Sequence, residues 1–200
     1  MVKHKDKYAA NFTAIRLVHL QLLPLITGVQ KVTLDEFRLL EGSKFEPVLF
    51  CKEEGALSNA VQELGLTTYF VPTLERPISP LKDFSSVVKL VSLLKRLAPD
   101  ILHTHSSKTG ILVRIAGRLS GVPVVMHTVH GFAFPYASSR IVQLIYFLME
   151  YFGGKLCEAL IVLNEGDRLI AIGRLAIPAK KFHLISNGVD VECFAKVSAE

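Results

Sequence analysis

Short apolar runs alternate with segments of helical spacing along most of the chain. The apolar runs predict seven strands, which we place at residues 15–20, 47–51, 67–71, 101–105, 122–128, 159–164 and 182–186. Helical spacing predicts six helices between them, at residues 29–40, 56–64, 83–97, 108–119, 140–152 and 165–173. Strands that alternate with helices form parallel sheets with right-handed connections. The pattern therefore predicts an α/β protein with a Rossmann-like, doubly wound, mostly parallel seven-stranded sheet, helices on both faces, and the fourth and fifth strands near its centre.

The third predicted helix, at residues 83–97, is amphipathic. Asp83 is a candidate N-cap, because its carboxylate can accept from the first free N–H groups of a helix. The residues expected to face the sheet are Phe84, Val87, Val88, Val91 and Leu94.

The fifth predicted helix, at residues 140–152, is apolar nearly all round, with Gln143 and Glu150 as its polar interruptions. A bilayer needs roughly 20 residues of apolar helix, so this segment is too short to span one. Two interpretations stay open: the helix is packed into the core, or it inserts shallowly into a membrane surface, to which Tyr136, Tyr146 and Tyr151 are suited.

Polar residues follow the fourth and fifth strands, and parallel strands place such residues at one edge of the sheet. His103 and His105 lie two apart on a strand and point the same way, and His127 and His130 end the next strand. Imidazole suits zinc, but neither an HExxH motif nor a nearby carboxylate accompanies these residues. We therefore expect all four histidines to meet at one rim, and the pattern favours core or rim histidines over a metal centre.

Two predicted helix starts are candidate binding positions. Thr27 and Gly28 precede the first helix, where free N–H groups and the helix dipole favour an anion, although Gly28 is equally compatible with a simple turn. Ser106, Ser107 and Lys108 open the fourth helix, and they cap it, hold a ligand, or do both. No GxGxxG motif is present, so a dinucleotide site is not predicted.

Composition narrows the class of protein further. Half of the 200 residues are hydrophobic, which suits one large domain, and the net charge of +5 permits contact with phosphates or anionic lipid. The basic residues are dispersed and lack aromatic-rich strands, which argues against nucleic acid binding. The three cysteines are an odd number without CxxC spacing and favour a reducing compartment, and polar residues interrupt any export signal near the N-terminus.

Three segments together carry a family resemblance. Residues 100–132, DILHTHSSKTGILVRIAGRLSGVPVVMHTVHGF, resemble the middle of the N-terminal domain of GT-B fold, family 4 retaining glycosyltransferases, especially bacterial ones that build capsule, exopolysaccharide or lipopolysaccharide. Residues 27–31 (TGVQK) and 185–190 (ISNGVD) are similar to further motifs of the same family and fall in family order. The resemblance covers residues 14 to 195.

The resemblance implies an activity and a set of site residues. It implies transfer of a sugar from a nucleotide-diphosphate sugar to a lipid-linked or saccharide acceptor, with retention of configuration and without a metal or other cofactor. Thr27 and Gly28 would lie beside the donor diphosphate. His130, followed by Gly131, would contact the donor sugar, and His127 is the alternative for that role. The remaining residues expected to line the cleft or the exit from the domain are His105, Ser106, Ser107, Lys108, Asn187, Gly188 and Asp190.

The resemblance also implies how the chain is organised. We expect a flexible leader at residues 1–13, a single acceptor-side domain at 14–195, and a nucleotide-sugar-binding C-terminal domain that is absent from this chain and belongs to a longer enzyme or a partner subunit. The isolated chain would then be inactive and cytoplasmic, and the resemblance is compatible with a peripheral position on the inner face of the membrane. A non-catalytic sugar- or nucleotide-binding module, or an interaction subunit of a split enzyme, is the alternative.

Overall fold

The computed structural model describes residues 13–188, which fold into one sheet with flanking helices. Its strands are β1 (Ile15–Gln21), β2 (Phe45–Cys51), β3 (Thr67–Phe70), β4 (Ile101–His105), β5 (Val124–Val129), β6 (Ala159–Val162) and β7 (Phe182–Leu184). Its helices are α1 (Gly28–Leu39), α2 (Ala56–Glu63), α3 (Pro80–Leu97), α4 (Ser107–Ser120), α5 (Arg140–Lys155) and α6 (Glu165–Leu175), with short 3-10 turns at Phe134–Tyr136 and Ala179–Lys181. The predicted alternation of strands and helices is confirmed.

All strand pairs are parallel, and the strand order is β3-β2-β1-β4-β5-β6-β7. The order runs in opposite directions from the junction of β1 and β4, so this junction is the topological switch point of the sheet. His19 of β1 stands directly opposite His103 of β4 in the register of that pair. The switch point therefore lies beneath the polar residues that end these strands.

Side chains of β2 show how the sheet buries both faces. Val48 and Phe50 belong to the larger core cluster, whereas Leu49 belongs to a second cluster with Phe37 of α1 and Leu57 of α2. Successive side chains of a strand point to opposite faces, so the two clusters lie on opposite sides of the sheet. Helices α1 and α2 cover one face, and α4, which packs on β4 and β5, covers the other.

Helix α3 differs from its prediction at its start and in its buried side. It begins at Pro80 with Ser79 as the N-cap, and Asp83 lies in the first turn, where its carboxylate accepts from the Ser79 backbone N–H at 3.0 Å. Proline at the first helical position has the required backbone angle in advance, which explains the earlier start. The predicted sheet-facing residues Phe84 and Val88 are 73% and 53% exposed, and the buried residues are Ser86, Leu90 and Leu94.

Helix α5 is fixed to α4 by a buried ion pair. Arg114 of α4 lies 3.4 Å from the Glu150 carboxylate of α5, and the two side chains are 0% and 2% exposed. Gly153 makes room for the pair, because a Cβ there would lie 2.4 Å from the Arg114 guanidinium. One of the two polar interruptions in the apolar sequence of α5 is thus explained by a partner in the next helix.

Candidate functional site

The candidate site is the crevice outside the carboxyl ends of β1, β4 and β5. Open α/β sheets bind ligands at this edge, beside the switch point. Helix α1 begins at Gly28 after β1, α4 begins at Ser107 after β4, and His130 directly follows β5. The topology brings these three segments, all singled out in the sequence, to the same edge of the sheet.

The N-terminus of α1 is open to a ligand. The helix begins one residue earlier than predicted, with Thr27 as its N-cap, and no side chain accepts a hydrogen bond from its first backbone N–H groups. The Thr27 hydroxyl instead donates to the side chain of Gln30. A Cβ added to Gly28 would meet nothing within 4 Å. A negatively charged group can therefore approach these N–H groups directly.

A chain of polar contacts leads away from His130 beneath the crevice, and we call it the histidine chain: His130, His105, His19 and Glu36. His130 Nε2 lies 3.1 Å from His105 Nδ1, and His105 Nε2 lies 3.3 Å from His19 Nδ1. His19 Nε2 lies 3.6 Å from the Glu36 carboxylate on α1. His105 is 1% exposed, so it lies under the crevice rather than on an open rim.

His103 packs beside the histidine chain. Its Nε2 lies 2.7 Å from the Thr128 hydroxyl, and its ring centroid is 4.5 Å from that of His19 and 4.4 Å from that of His105. Nitrogens of His19, His103 and His105 lie within 4.8 Å of one another, a spacing that could hold a metal ion. The hydrogen bonds already give each of these three rings a polar partner. That the enzyme needs no metal stays a prediction.

Burial governs the protonation of these groups. It lowers the pKa of His19 and His105 well below the ordinary value, and it lowers the pKa of His103 to about 4. Burial also lowers the pKa of His130, which is partly exposed. The pKa of Glu36 is raised to about 7 by the same cause. The rings are therefore neutral at pH 7, each with one donating and one accepting nitrogen.

His127 does not share this arrangement, and the prediction that all four histidines meet at one rim is wrong. His127 stands opposite Thr104 in the register and so points to the other face of the sheet, where its Nδ1 lies 2.8 Å from the Thr104 hydroxyl. Its ring packs against Gly110 of α4, where a Cβ would lie 2.8 Å from the ring. Burial, followed by the charge of Arg114, holds the pKa of His127 well below its ordinary value.

The start of α4 corrects two further predictions. Ser106 is the N-cap, but no side chain caps the helix, and Ser106 has φ 67° and ψ 146°, a strained conformation for a residue with a Cβ. Lys108 does not line the crevice as predicted. It is buried and donates to the backbone carbonyls of Glu75 and Pro77, at 2.9 and 2.8 Å, and to the Asp83 carboxylate. Lys108 thus fixes the loop between β3 and α3.

The remaining predicted positions lie at the edges of the site. Gly131 has φ 100°, a value that favours glycine, and it turns the chain directly after His130. Asn187 and Gly188 are exposed and follow β7, and Asp190 lies outside the described residues. A separate cavity of 470 Å³, lined by Arg16, Glu46 and Thr67 among others, lies at the amino ends of the strands and is remote from the crevice.

His19 and Glu36 are functional candidates that the sequence alone did not indicate. His19 belongs to an ordinary apolar strand and Glu36 to an amphipathic helix, and neither stands in a recognisable motif. The signal is the strand order, which places β1 next to β4 and so brings His19 against His103 and His105.

Comparison with known proteins gives a consistent set of relatives. The profile of Glycosyltransferase Family 4 matches residues 26–193. A UDP-Gal:alpha-D-GlcNAc-diphosphoundecaprenol alpha-1,3-galactosyltransferase of Escherichia coli is 49% identical over 181 residues, which cover 90% of this chain and 46% of that protein. Putative glycosyltransferase EpsD of Bacillus subtilis is 30% identical over 135 residues, 65% of this chain and 34% of that protein. The chain thus spans less than half the length of these curated relatives.

Solved structures share the fold. HepE of Anabaena, in complex with UDP and glucose, superposes with a TM-score of 0.67 at 13% identity, over 92% of this chain and 49% of that one. The lipopolysaccharide outer core galactosyltransferase WaaB superposes with a TM-score of 0.66 at 14% identity, over 88% of this chain and 47% of that one. Both alignments confirm the predicted α/β architecture.

Proposed function

The chain belongs to glycosyltransferase family 4, and from that membership we propose that it forms the acceptor-side domain of an enzyme that transfers a sugar from a nucleotide-diphosphate sugar to a lipid-linked acceptor. The product would be an intermediate of a bacterial surface polysaccharide. The transfer would proceed with retention of configuration, would need no metal, and would depend on nucleotide-binding groups that lie outside this domain.

The observation that carries the proposal is the 49% identity, over 90% of this chain, to a galactosyltransferase whose name specifies both substrates. We therefore propose UDP-galactose as the donor and an N-acetylglucosamine-diphosphate lipid as the acceptor. The complex of HepE, a protein of the same fold, with UDP and glucose supports a uridine nucleotide as the leaving group.

The open start of α1 supplies part of the chemistry. As the bond from the anomeric carbon to the diphosphate breaks, negative charge grows on the leaving diphosphate. Backbone N–H groups at a helix N-terminus stabilise such charge without reorganisation. Thr27 and Gly28 bring those groups to the crevice. His130 follows β5 at the same edge of the sheet, where its neutral ring would contact the donor sugar.

The test is a transfer assay with protein produced from its complete coding sequence. We expect labelled galactose to pass from UDP-galactose to a GlcNAc-diphosphate-undecaprenol acceptor, and UDP-glucose to be a poorer donor. Transfer from UDP-glucose alone would contradict the donor assignment, and no transfer from any UDP-sugar to a lipid-linked acceptor would contradict the proposed function.

A pair of variants in the same assay tests the role of α1. Gly28→Asp places a negative charge where the diphosphate would bind, so it should raise the KM for the donor, although an acidic residue there stabilises the helix. Gly28→Ala adds a methyl group into open space and should leave KM close to the wild-type value. Equal effects of the two substitutions would contradict diphosphate binding at this position.

Membrane attachment through α5 is part of the proposal. One side of the helix packs into the core through Tyr146, Phe147 and Tyr151, and the other side exposes Ile141, Leu144 and Phe152 at 74%, 56% and 55%. Among the described residues no helix is long and apolar enough to cross a bilayer. One side of α5 is thus part of the core and the other side is part of the surface. We propose that the exposed side rests on anionic lipid, where a lipid-linked acceptor would be found.

Sedimentation with vesicles tests this attachment. We expect the protein to sediment with phosphatidylglycerol vesicles at low salt and less at high salt, because a net charge of +5 adds an attraction that salt screens. The double variant Leu144→Ser and Phe152→Ser should stay in the supernatant. The control Leu39→Ser, at an 84% exposed position of α1, should sediment like wild type. Wild-type protein that stays in the supernatant at both salt concentrations would contradict the attachment.

A further inference from the structure

We propose that the histidine chain is a proton relay that connects the crevice at His130 to the Glu36 carboxyl through His105 and His19. This inference deepens the proposed function and rests on it in one respect, the origin of the proton. It assigns roles to three residues, His105, His19 and Glu36, that act through His130 and are therefore positioning and proton-holding groups.

The geometry of the rings is the first support. Each ring uses one nitrogen toward the crevice side and the other toward Glu36: His105 meets His130 through Nδ1 and His19 through Nε2, and His19 meets His105 through Nδ1 and Glu36 through Nε2. The contacts of 3.1 and 3.3 Å are hydrogen-bond distances, and the 3.6 Å contact between His19 Nε2 and Glu36 Oε2 is within ion-pair distance. His105 and His19 thus each use their two nitrogens toward opposite ends of the histidine chain.

A neutral imidazole donates from one nitrogen and accepts at the other, so the chain has two ordered states. When Glu36 is ionised it accepts from His19 Nε2–H, His19 Nδ1 accepts from His105 Nε2–H, and His105 Nδ1 accepts from His130 Nε2–H. The His130 Nδ1 is then an acceptor. When Glu36 is protonated, every donor and acceptor is reversed, and His130 Nδ1 carries a proton. The carboxyl thus determines the hydrogen-bonding sense of His130.

The two states differ by one proton, and its path can be written out. A proton bound at His130 Nδ1 releases the Nε2 proton of His130 to His105 Nδ1. His105 passes its own Nε2 proton to His19 Nδ1, and His19 passes its Nε2 proton to the carboxylate. Each ring ends neutral with its single proton on Nδ1, and Glu36 ends protonated. No buried imidazolium persists at the end of the relay. This matters because burial makes a charged ring costly at His19 and His105.

In the proposed transfer, the source of that proton is the acceptor hydroxyl. Its oxygen forms the bond to the anomeric carbon, the bond from that carbon to the diphosphate breaks with its electron pair on the diphosphate, and the hydroxyl proton passes to His130 Nδ1. The relay then holds the proton on Glu36. Its side chain is 39% exposed, so it can release the proton to water after the products leave.

The surroundings of Glu36 suit a proton-holding group. Its Oε2 is buried without a hydrogen-bond partner, and burial raises its pKa to about 7. The neighbouring Asp35 forms ion pairs with both nearby cations of α1, Lys31 at 2.8 Å and Arg38 at 3.1 Å. Within residues 13–188, the basic group at ion-pair distance from Glu36 is His19.

The other titratable groups that face the histidine chain are cationic or neutral. His103 lies beside it on β4, His127 acts on His105 from the opposite face of the sheet, and Arg114 in turn acts on His127. His103 and His127 have pKa values lowered by burial and so stay neutral as Glu36 titrates.

The test is histidine tautomer analysis of the protein by long-range proton–nitrogen NMR between pH 6 and pH 8. At pH 8 we expect the rings of His19, His105 and His130 to carry their protons on Nε2. At pH 6 we expect all three on Nδ1, with one shared midpoint near the Glu36 pKa of about 7. The variant Glu36→Gln cannot titrate and should abolish the transition. The control Glu41→Gln, at an exposed position just after the end of α1, should retain it.

Rings that keep the same tautomers from pH 6 to pH 8 would overturn the relay, because a purely structural cluster has no reason to switch. A transition that survives in Glu36→Gln would overturn the role of the carboxyl. Neither result depends on enzymatic activity. The transfer assay decides the proposed function separately, so failure of one is distinguishable from failure of the other.

Discussion

Acidification from pH 7.5 to pH 5.5 is expected to lower the unfolding free energy of this domain by roughly 3–4 kcal/mol. His19, His103, His105 and His127 are at most 4% exposed, and burial lowers the pKa of each below that of a histidine in an unfolded chain. Below pH 6.5 the unfolded chain binds protons that the native state does not bind. The proton excess of the unfolded state favours unfolding.

The sign and size of this change in unfolding free energy follow from proton linkage. A histidine with a lowered native pKa contributes its full stability above the unfolded pKa and loses it as the pH falls. Each such histidine costs roughly 1.4 kcal/mol of unfolding free energy per pH unit once its unfolded form is fully protonated. Four of them act in the same direction, and domains have only about 5–15 kcal/mol in total. Glu36 has the opposite effect, because its pKa is raised to about 7. Between pH 7 and about 4.5 the native state binds one proton at Glu36 that the unfolded chain does not bind.

Urea unfolding at a series of pH values measures this effect. The midpoint should fall steeply below pH 6.5 while the dependence on denaturant stays constant. His183, which is exposed on β7, supplies the control, because His183→Gln should reproduce the wild-type curve. A midpoint that is flat or rises between pH 7.5 and pH 5.5 would show that the histidines are not held neutral in the native state.

The order of strands and helices was predictable because each element has its own hydrophobic period. The helix bounds depended on local chemistry. Residue 80 is proline, which fits the first turn, so α3 starts earlier than the apolar pattern indicated. The buried side of the same helix was misassigned at Phe84 and Val88, because α3 presents Ser86 and Leu90 to the core instead.

The candidate site was predictable only in part. Its location followed from parallel topology, and the positions of Gly28 and His130 followed from motifs. The position of His127 did not, because one residue of register decides which face of a sheet a side chain takes. His19 could not be found without the strand order, since its partners are 84 and 86 residues away in the sequence. Lys108 was misread because its buried partners lie in a loop without a recognisable pattern.

The pair of variants His130→Ala and His127→Ala separates catalysis from stability. His130 is partly exposed and loses one hydrogen bond on substitution, so His130→Ala should melt near the wild-type temperature. If its ring contacts the donor sugar and takes up the acceptor proton, transfer should fall by about 10²–10⁴-fold in kcat/KM. His127 packs on the opposite face against Gly110, so His127→Ala should lower the melting temperature while folded molecules keep their activity.

We propose that the sugar is transferred in the crevice beside His130, and the kcat/KM of His130→Ala in the galactose transfer assay is the decisive measurement. We expect kcat/KM to fall by at least about 100-fold with an unchanged melting temperature. A kcat/KM close to that of the wild type would contradict it, and a large loss in a properly folded His127→Ala would then assign the donor contact to the other histidine.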